Sequence, residues 1–580
     1  MKSLAQLFSF KGGVKPASHK VESADCPIRP APMPARLIVP LRQSAGHTAQ
    51  CLVEVGQKVQ KGQMIGAAEG VFSSATHAPT SGTVVAVGPE AVPHPSGLAA
   101  PCVVIETDGE DRWGERTPLD WRGGDPEVLR GFIRDAGIVG LGGATFPSHI
   151  KLKPGAAGEF GGRIPTLVIN GAECEPWITC DDRLMRERAE GILRGAAIMR
   201  HLVGAEKIIV GIEDNKPQAV AAMRAAAAAL GEAQLDVVAV PTRYPAGGEK
   251  QLIRVLTGIE IPYGKLGTQF GVQCFNVGTA YAIHRAVEHG EPLISRLLTL
   301  TGNVARPGNY EVLIGTPIET LLPLAEPRAD TNGYLMGGPM MGFTLPRLDV
   351  PVVKSSNCVI AASPALFPQA PPEMPCIRCG ACARACPAEL QPFELYWHSR
   401  AKNFGKAQEY HIFDCIECGC CSYVCPSRIR LVDYFRFAKS SIRAREREKS
   451  AADLARERYE FRLARDEREK QEKAAKLAAK AAETKAKLAA QAAATTAAAD
   501  DASGEAQKLG AGGTASEPAD DPKKALIAAA MARAQAQKAA SHPENTEALN
   551  PEVQAEIQDI EARRAKLRET AKAAQPQDNN

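Results

Sequence analysis

The 580-residue sequence has no run of 18 or more apolar residues, so nothing in it is long enough to cross a bilayer as a helix. Its opening, MKSLAQLFSFKGG, lacks the apolar core and cleavage site of a signal peptide, which points to the cytoplasm. Net charge is scarce: 69 basic residues against 66 acidic leave +3, too small a surplus for phosphate recognition, so no nucleic-acid partner is expected. Aromatic residues make up 5%, and none follows Phe461, so the chain beyond that point cannot build a core of its own. The length alone implies roughly three to five domains.

Cysteine, by contrast, is abundant at 16 residues, in a compartment where disulfides are rare. Eight of them form two copies of one spacing, C-x2-C-x2-C-x3-C-P: Cys376, Cys379, Cys382 and Cys386, then Cys415, Cys418, Cys421 and Cys425. In two-cluster ferredoxins three closely spaced thiolates hold one corner of a cubane, and the fourth, turned away before proline, serves the other cluster. One [4Fe-4S] cluster is then expected on Cys376, Cys379, Cys382 and Cys425, and a second on Cys415, Cys418, Cys421 and Cys386. Structural zinc is the competing reading, but it favours two separated C-x2-4-C pairs over four thiols in series. Cys420 has no place in the pattern and reads as a small buried neighbour, and the scattered cysteines read as packed thiols.

Residues 36 to 108 show short alternating strands broken by Gly and Pro turns, among them VEVGQKVQKGQMIG and HAPTSGTVVAVG. This resembles the biotinyl/lipoyl-like barrel sandwich. Carriers of that family modify a lysine at a hairpin tip; the corresponding EGVFSSATHAP has none, which implies a structural or docking role. From about 125 to 290, strand-like runs (TLVINGAE, KIIVGIED, LDVVAVPTR) alternate with helical stretches, the pattern of an α/β domain with a mainly parallel sheet. Residues 300 to 350 are Gly-rich with short strands. From 440 to about 495 the chain is Ala, Lys, Arg and Glu without proline, which favours a long charged helix. A disordered linker and one more helix, KKALIAAAMARAQAQKAA, are expected beyond it.

Outside the cysteines the most informative stretch is GIVGLGGATFPSHIKL (137 to 152), followed by VINGAECEPWITCDDRLM, YPAGGEKQL and CFNVGTAYAI. In that order these segments resemble the flavin- and NADH-binding subunit of respiratory complex I and of related diaphorases. Together with the double cysteine motif, FKGGVKPASHK and MGGPMMG, they are most similar to the C subunits of the Rnf (also called Rsx) ion-translocating electron transport complex. The resemblance covers roughly residues 9 to 440.

The resemblance implies a multidomain α/β chain. Its expected parts are an N-terminal segment with a barrel-sandwich hybrid domain (1–120), a Rossmann-like FMN/NADH domain (121–295) and a small β-grasp-like SLBB domain (296–360). A helical two-cluster ferredoxin-like domain (361–440) and a charged helical and disordered tail (441–580) follow. It implies that Gly140, Gly142 and Gly143 line the flavin phosphate and ring, with Lys151 reaching flavin or nucleotide phosphates and Phe146 stacking near the nicotinamide or adenine. Asn170 and Glu173 would hydrogen-bond the flavin and Glu175 would contact the nucleotide. Tyr244, Gly247 and Glu249 match a second loop, and Asn276 a later asparagine beneath the flavin. The family arginine, aspartate and first loop glutamate are here Leu141, Ala172 and Gly248.

Glycines let backbone approach a ligand, lysine neutralises phosphate, and amides and carboxylates bond along the isoalloxazine edge. The implied function is exchange of electrons between NAD(H) and FMN and relay through two [4Fe-4S] clusters, coupled by the complex to Na+ or H+ movement. The implied setting is peripheral, on the cytoplasmic face of the bacterial inner membrane, with integral membrane subunits and a ferredoxin-like subunit as partners. Two alternatives stay open: a relay scaffold without its own flavin or nucleotide site, and a soluble NADH diaphorase.

Overall fold

A computed structural model describes residues 7–154, 162–231, 234–369 and 371–499. It falls into two units, residues 1–460 and 461–580. In the second, residues 461–499 belong to a helix whose bounds are Leu431–Ala499. Alanine and straight-chain charged residues favour it, with surface pairs such as Glu483 and Lys487, 2.8 Å apart at i,i+4. The helix continues through 495–499, where the alanine-rich sequence was expected to open a disordered linker; the rest of that linker and the helix expected at 523–540 lie outside the described residues. Among the described residues no helix is long and apolar enough to cross a membrane.

The first unit begins with two small antiparallel sheets. One orders Arg36–Pro40, Ala99–Thr107, Gly82–Ala91 and Lys58–Val59, and the other Gln50–Cys51, Met64–Ala67 and Thr76–His77. Leu37, Val39, Ile65, Val84, Val103 and Ile105 fill the space between them. This is the barrel sandwich that the resemblance implies.

Next comes a four-stranded parallel sheet ordered Leu235–Val240, Lys207–Glu213, Thr166–Gly171, Val272–Asn276. Successive side chains point to opposite faces. Leu167, Ile169, Val210 and Ile212 pack against helices on one side, while Val168 and Ile209 meet Leu252 and Ile253 on the other. Burial on both faces explains why these strands read as continuous apolar runs. The chain forms Thr166–Gly171 first, adds two strands on one side, and returns to add Val272–Asn276 on the other. Such a switch point leaves a crevice beyond the carboxyl ends of Thr166–Gly171 and Val272–Asn276, the strands on either side of it.

A mixed six-stranded sheet follows, ordered Ile28–Pro30, Gly308–Leu313, Ser295–Gly302, Cys358–Ala362, Gly333–Met336, Phe343–Thr344. The cysteine-rich region is helical, with Ala381–Ala385, Pro392–Arg400, Phe404–Glu409 and Cys420–Tyr423 gathered around Leu395, Ile412, Leu431 and Phe435.

Candidate functional site

Asn170 and Asn276 stand opposite each other at the ends of the two strands flanking the switch point. Asn170 Oδ1 accepts from Ala172 N at 3.0 Å and its Nδ2 donates to Gly247 O at 2.8 Å, tying the turn after the strand to the second loop. Asn276 caps the helix Val277–His289, its Oδ1 accepting from Gly278 N at 2.8 Å. Its Nδ2 donates to Asp181 Oδ2 at 2.7 Å.

The glycine-rich loop closes on itself, with Gly140 N donating to Phe146 O (2.8 Å) and Thr145 N to Gly140 O (3.1 Å). Leu141, in place of the family arginine, is buried, and its N donates to Thr279 Oγ1 at 2.9 Å. A Cβ on Gly142 would lie 3.5 Å from the Asn276 side chain, whereas one on Gly143 would meet nothing within 4 Å. Gly142, Gly143 and Ala144 are exposed, so this backbone faces open space. Lys151 Nζ donates to Glu249 Oε2 (2.9 Å), at the start of the helix Glu249–Thr257, and to Cys274 O (2.8 Å), midway along Val272–Asn276. The structure thus brings together Gly140, Gly142, Gly143, Phe146, Lys151, Asn170, Gly247, Glu249 and Asn276 around one crevice. A cavity of about 320 Å³ also borders the loop at Leu141 and is lined by Asp181, Gly278 and Arg296.

Glu173, Glu175 and Tyr244 sit deeper. Glu173 is buried; its Oε1 accepts from Asp181 N at 2.8 Å, while Oε2 has Lys20 Nζ at 3.7 Å and no hydrogen-bond partner. Burial pushes its carboxyl up to about 8, with Lys20 opposing and Asp181 reinforcing. Asp181 is also raised by burial, against the Asn276 amide. Glu175 Oε1 accepts from Met340 N (2.7 Å) and Met341 N (3.0 Å), so it is spent on the MGGPMMG segment. Burial raises its pKa against those two amides. Tyr244 Oη donates to Cys418 O at 2.6 Å, which places this residue against the second cysteine motif.

The two motifs share a backbone repeat. Arg378 and Glu417, Gly380 and Gly419, and Glu389 and Arg428 all have positive φ at matching positions. One small cavity is lined by Cys376, Cys379, Cys382 and Cys425, and another by Cys386, Cys415, Cys418 and Cys421. The fourth cysteine of each motif therefore lines the other motif's cavity, the exchange expected from C-x2-C-x2-C-x3-C-P. Cys420 is buried beside the second cavity.

Sequence reasoning missed what joins crevice to cavities. Val14, Tyr244, Ala385, Cys418 and Cys420 form one apolar cluster, with Cys174 and Met340 packed on it. The segment FKGGV threads this seam: Gly13 N donates to Ala385 O (2.9 Å) and Val14 N to Tyr244 O (2.8 Å). Gly12 and Gly13 have φ +68° and +79°, and a Cβ on either would strike Cys386 O or Tyr244 O. The glycine pair was the one legible signal for this close approach.

Both cofactor types fit what the chain offers. Four thiols converge on each small cavity, a donor set suited to iron–sulfur clusters. The crevice presents unobstructed glycine backbone at Gly143.

Four family models match in chain order. They are the RnfC barrel sandwich hybrid domain (residues 8–110), the Nuo51 FMN-binding domain (133–285), the SLBB domain (297–344) and the 4Fe-4S dicluster domain (375–429). The C subunit of the ion-translocating oxidoreductase complex of Yersinia pestis is 49% identical over 468 residues, covering 80% of this chain and 74% of that protein. The chain belongs to the family of C subunits of ion-translocating oxidoreductase complexes. The family member from Serratia proteamaculans is 45% identical over 573 residues, covering 92% of this chain and 80% of its own. That of Edwardsiella ictaluri is 50% identical over 469 residues, a match that spans 80% of this chain and 58% of the relative's length. As a member of this family the chain carries an FMN-binding domain and a 4Fe-4S dicluster domain, joined through the seam at Tyr244 and Cys418.

Proposed function

We propose that this chain exchanges electrons between NADH and FMN at the crevice and relays them through two [4Fe-4S] clusters to the other subunits of its complex. A nicotinamide gives up two electrons as hydride and a cluster accepts one, so bound FMN supplies the conversion between them. Gly140, Gly142 and Gly143 offer backbone to the flavin, Lys151 offers positive charge to a phosphate, and Asn170 and Asn276 hold the crevice edges. Glu173, pushed up to about 8, keeps a proton on its carboxyl at neutral pH.

Cys376, Cys379, Cys382 and Cys425 hold one cluster, and Cys415, Cys418, Cys421 and Cys386 the other. The observation that carries this reading is the bond from Tyr244 Oη to Cys418 O, which sets the second cavity directly against the crevice domain. Cys379 is exposed and flanked by exposed Met374 and Ile377, so the first cavity lies toward the surface where electrons leave. The partners are integral membrane subunits and a ferredoxin-like subunit, which together link electron flow to Na+ or H+ movement. The chain docks to them peripherally, on the cytoplasmic face of the inner membrane.

Anaerobic purification and reconstitution test this. The chain should bind FMN and two clusters, and NADH should bleach the flavin and cluster absorbance. A chain with full cluster content that takes up no FMN, or whose clusters NADH leaves oxidised, refutes the proposal.

A further inference from the structure

The two cysteine motifs repeat residue for residue, CIRCGACARACP against CIECGCCSYVCP, so a difference at a matching position is a difference between the two cluster sites. After the glycine of each, Gly380 and Gly419, the first motif has Ala381 and the second Cys420. Cys420 is 1% exposed and opens the helix Cys420–Tyr423. It lines the second cavity together with Cys386, Cys415, Cys418 and Cys421, so five thiols meet there against four in the first.

The fifth thiol is not spare, because its side chain hydrogen-bonds that of Cys418. Cysteines that bind iron do so as thiolates, which accept hydrogen bonds and have none to give. Cys420 stands outside the ligand spacing and keeps its proton, which makes it the donor of the pair. Two other sulfurs of the same set also accept: Cys415 Sγ from Glu417 N and Cys386 Sγ from Leu390 N, both at 3.4 Å.

The two sites differ in their surroundings too. A Cβ on Gly419 would lie 2.8 Å from Met340 O, so the MGGPMMG segment closes over the second motif. A Cβ on Gly380 would meet only the end of the Arg384 side chain, at 3.3 Å. Val14 and Tyr244 pack with Cys418 and Cys420, whereas Cys379 of the first motif is exposed. Reduction adds a negative charge to a cluster, which dry surroundings oppose and a hydrogen bond to a ligand sulfur favours.

We propose that Cys420 tunes the second cluster, raising its reduction potential through a hydrogen bond to Cys418 Sγ for which the first cluster, with Ala381, has no counterpart. Cys420 acts through Cys418 and binds no iron itself. The second cavity is the one tied to the crevice domain by Tyr244 and Cys418, so the thiol makes the buried cluster a better acceptor for an electron leaving the flavin. That use rests on the proposed path from crevice to clusters; the effect on the potential does not.

The test is anaerobic potentiometric titration of the full reconstituted chain with dithionite and mediators, followed by electron paramagnetic resonance, which needs neither FMN nor NADH. Cys420→Ala should keep the iron of both clusters and lower one midpoint while the other stays. Losing one weak donor from a dry site should make that cluster roughly threefold to tenfold harder to reduce, or about 30–60 mV for a one-electron couple. Cys420→Ser keeps a donor in place and should hold the midpoint at or above the wild-type value. In a Cys425→Ser background, which removes the first cluster, the shift caused by Cys420→Ala should remain. Two unmoved midpoints overturn the inference, as do an equal shift of both, which marks a general distortion, and absence of the shift in the Cys425→Ser background. Loss of about half the iron in Cys420→Ala would make Cys420 a ligand and overturn it as well. The expected shift in a chain whose clusters NADH leaves oxidised would refute the proposed function and leave the tuning intact.

Discussion

Lys354 offers the sharpest test of how the barrel-sandwich hairpin is held. It is 1% exposed, and its Nζ reaches Ala75 O and Gly137 O at 2.7 Å and Ser74 Oγ at 3.1 Å; among the described residues no carboxylate pairs with it. Burial without a counter-charge lowers its pKa from 10.5 to about 7. Nζ donates to all three acceptors, the two carbonyls and the Ser74 hydroxyl, and a neutral amine with its two N–H groups still serves the two closest, the carbonyls.

The folded pKa lies below the unfolded one, so between pH 7 and 10.5 the unfolded chain binds more protons and stability rises with pH. A pKa lowered this far means that burying the ammonium form costs about 5 kcal/mol, at about 1.4 kcal/mol for each tenfold change in proton affinity. Between pH 7 and 9 the folded state should recover about 2 kcal/mol of that. His77, buried nearby, is lowered by burial and by Lys354 to about 3, so it stays neutral throughout this window.

Hydrogen exchange at the His47 and Ala78 amides, corrected for intrinsic rates, reads the local opening. Wild-type protection should rise roughly thirtyfold to fiftyfold from pH 7 to 9. Lys354→Met removes the slope: near pH 6 it should match or exceed the wild type. At pH 9 it should be weaker by about 2 kcal/mol, because two buried carbonyls lose their donor at about 1–3 kcal/mol each. Flat wild-type protection across this range, or a deficit in the variant that is the same at every pH, refutes the reasoning.

Three other outcomes are expected. Cys425→Ser should abolish the cluster of Cys376, Cys379 and Cys382 and keep the other, and Cys386→Ser the reverse, each read as loss of about half the iron per chain; a Cys425→Ser protein that retains the first cluster refutes the crossed ligation. Tyr244→Phe removes the bond to Cys418 O and should cost about 1–1.5 kcal/mol while slowing flavin-to-cluster electron transfer in stopped flow, with iron content intact; an unchanged transfer rate would show that the seam does not matter to the relay. Glu173→Gln should flatten the pH dependence of thermal stability between about pH 5 and 8, since a carboxyl raised by burial makes the folded state lose stability as pH climbs through that window; an unaltered wild-type slope in the variant speaks against a buried, protonated Glu173.

What could be read in the sequence was local. The four-cysteine spacing determines which thiols can converge, and even the exchange of Cys386 and Cys425 follows from it, because the repeat carries its backbone turns with it at Arg378 and Glu417 and again at Gly380 and Gly419. The parallel strands were legible because burial on both faces leaves continuous apolar runs. Contacts between domains left no such trace. Lys354 sits in PVVKSS like any surface lysine, and only carbonyls from 279 and 217 residues away make its burial tolerable. Tyr244 fits a loop motif that says nothing of Cys418, 174 residues on. Phe72 looks like a hairpin residue until Phe146 is placed beside it. Periodicity reports which face of an element is buried but not which domain buries it, so the parts were legible and their assembly was not. It follows that the crevice is not the property of residues 121–295 alone. Cut out, that segment would lose the ring of Phe72 from Phe146, the Lys354 donor from Gly137 O and the Gly12–Val14 strap from its seam with Cys418.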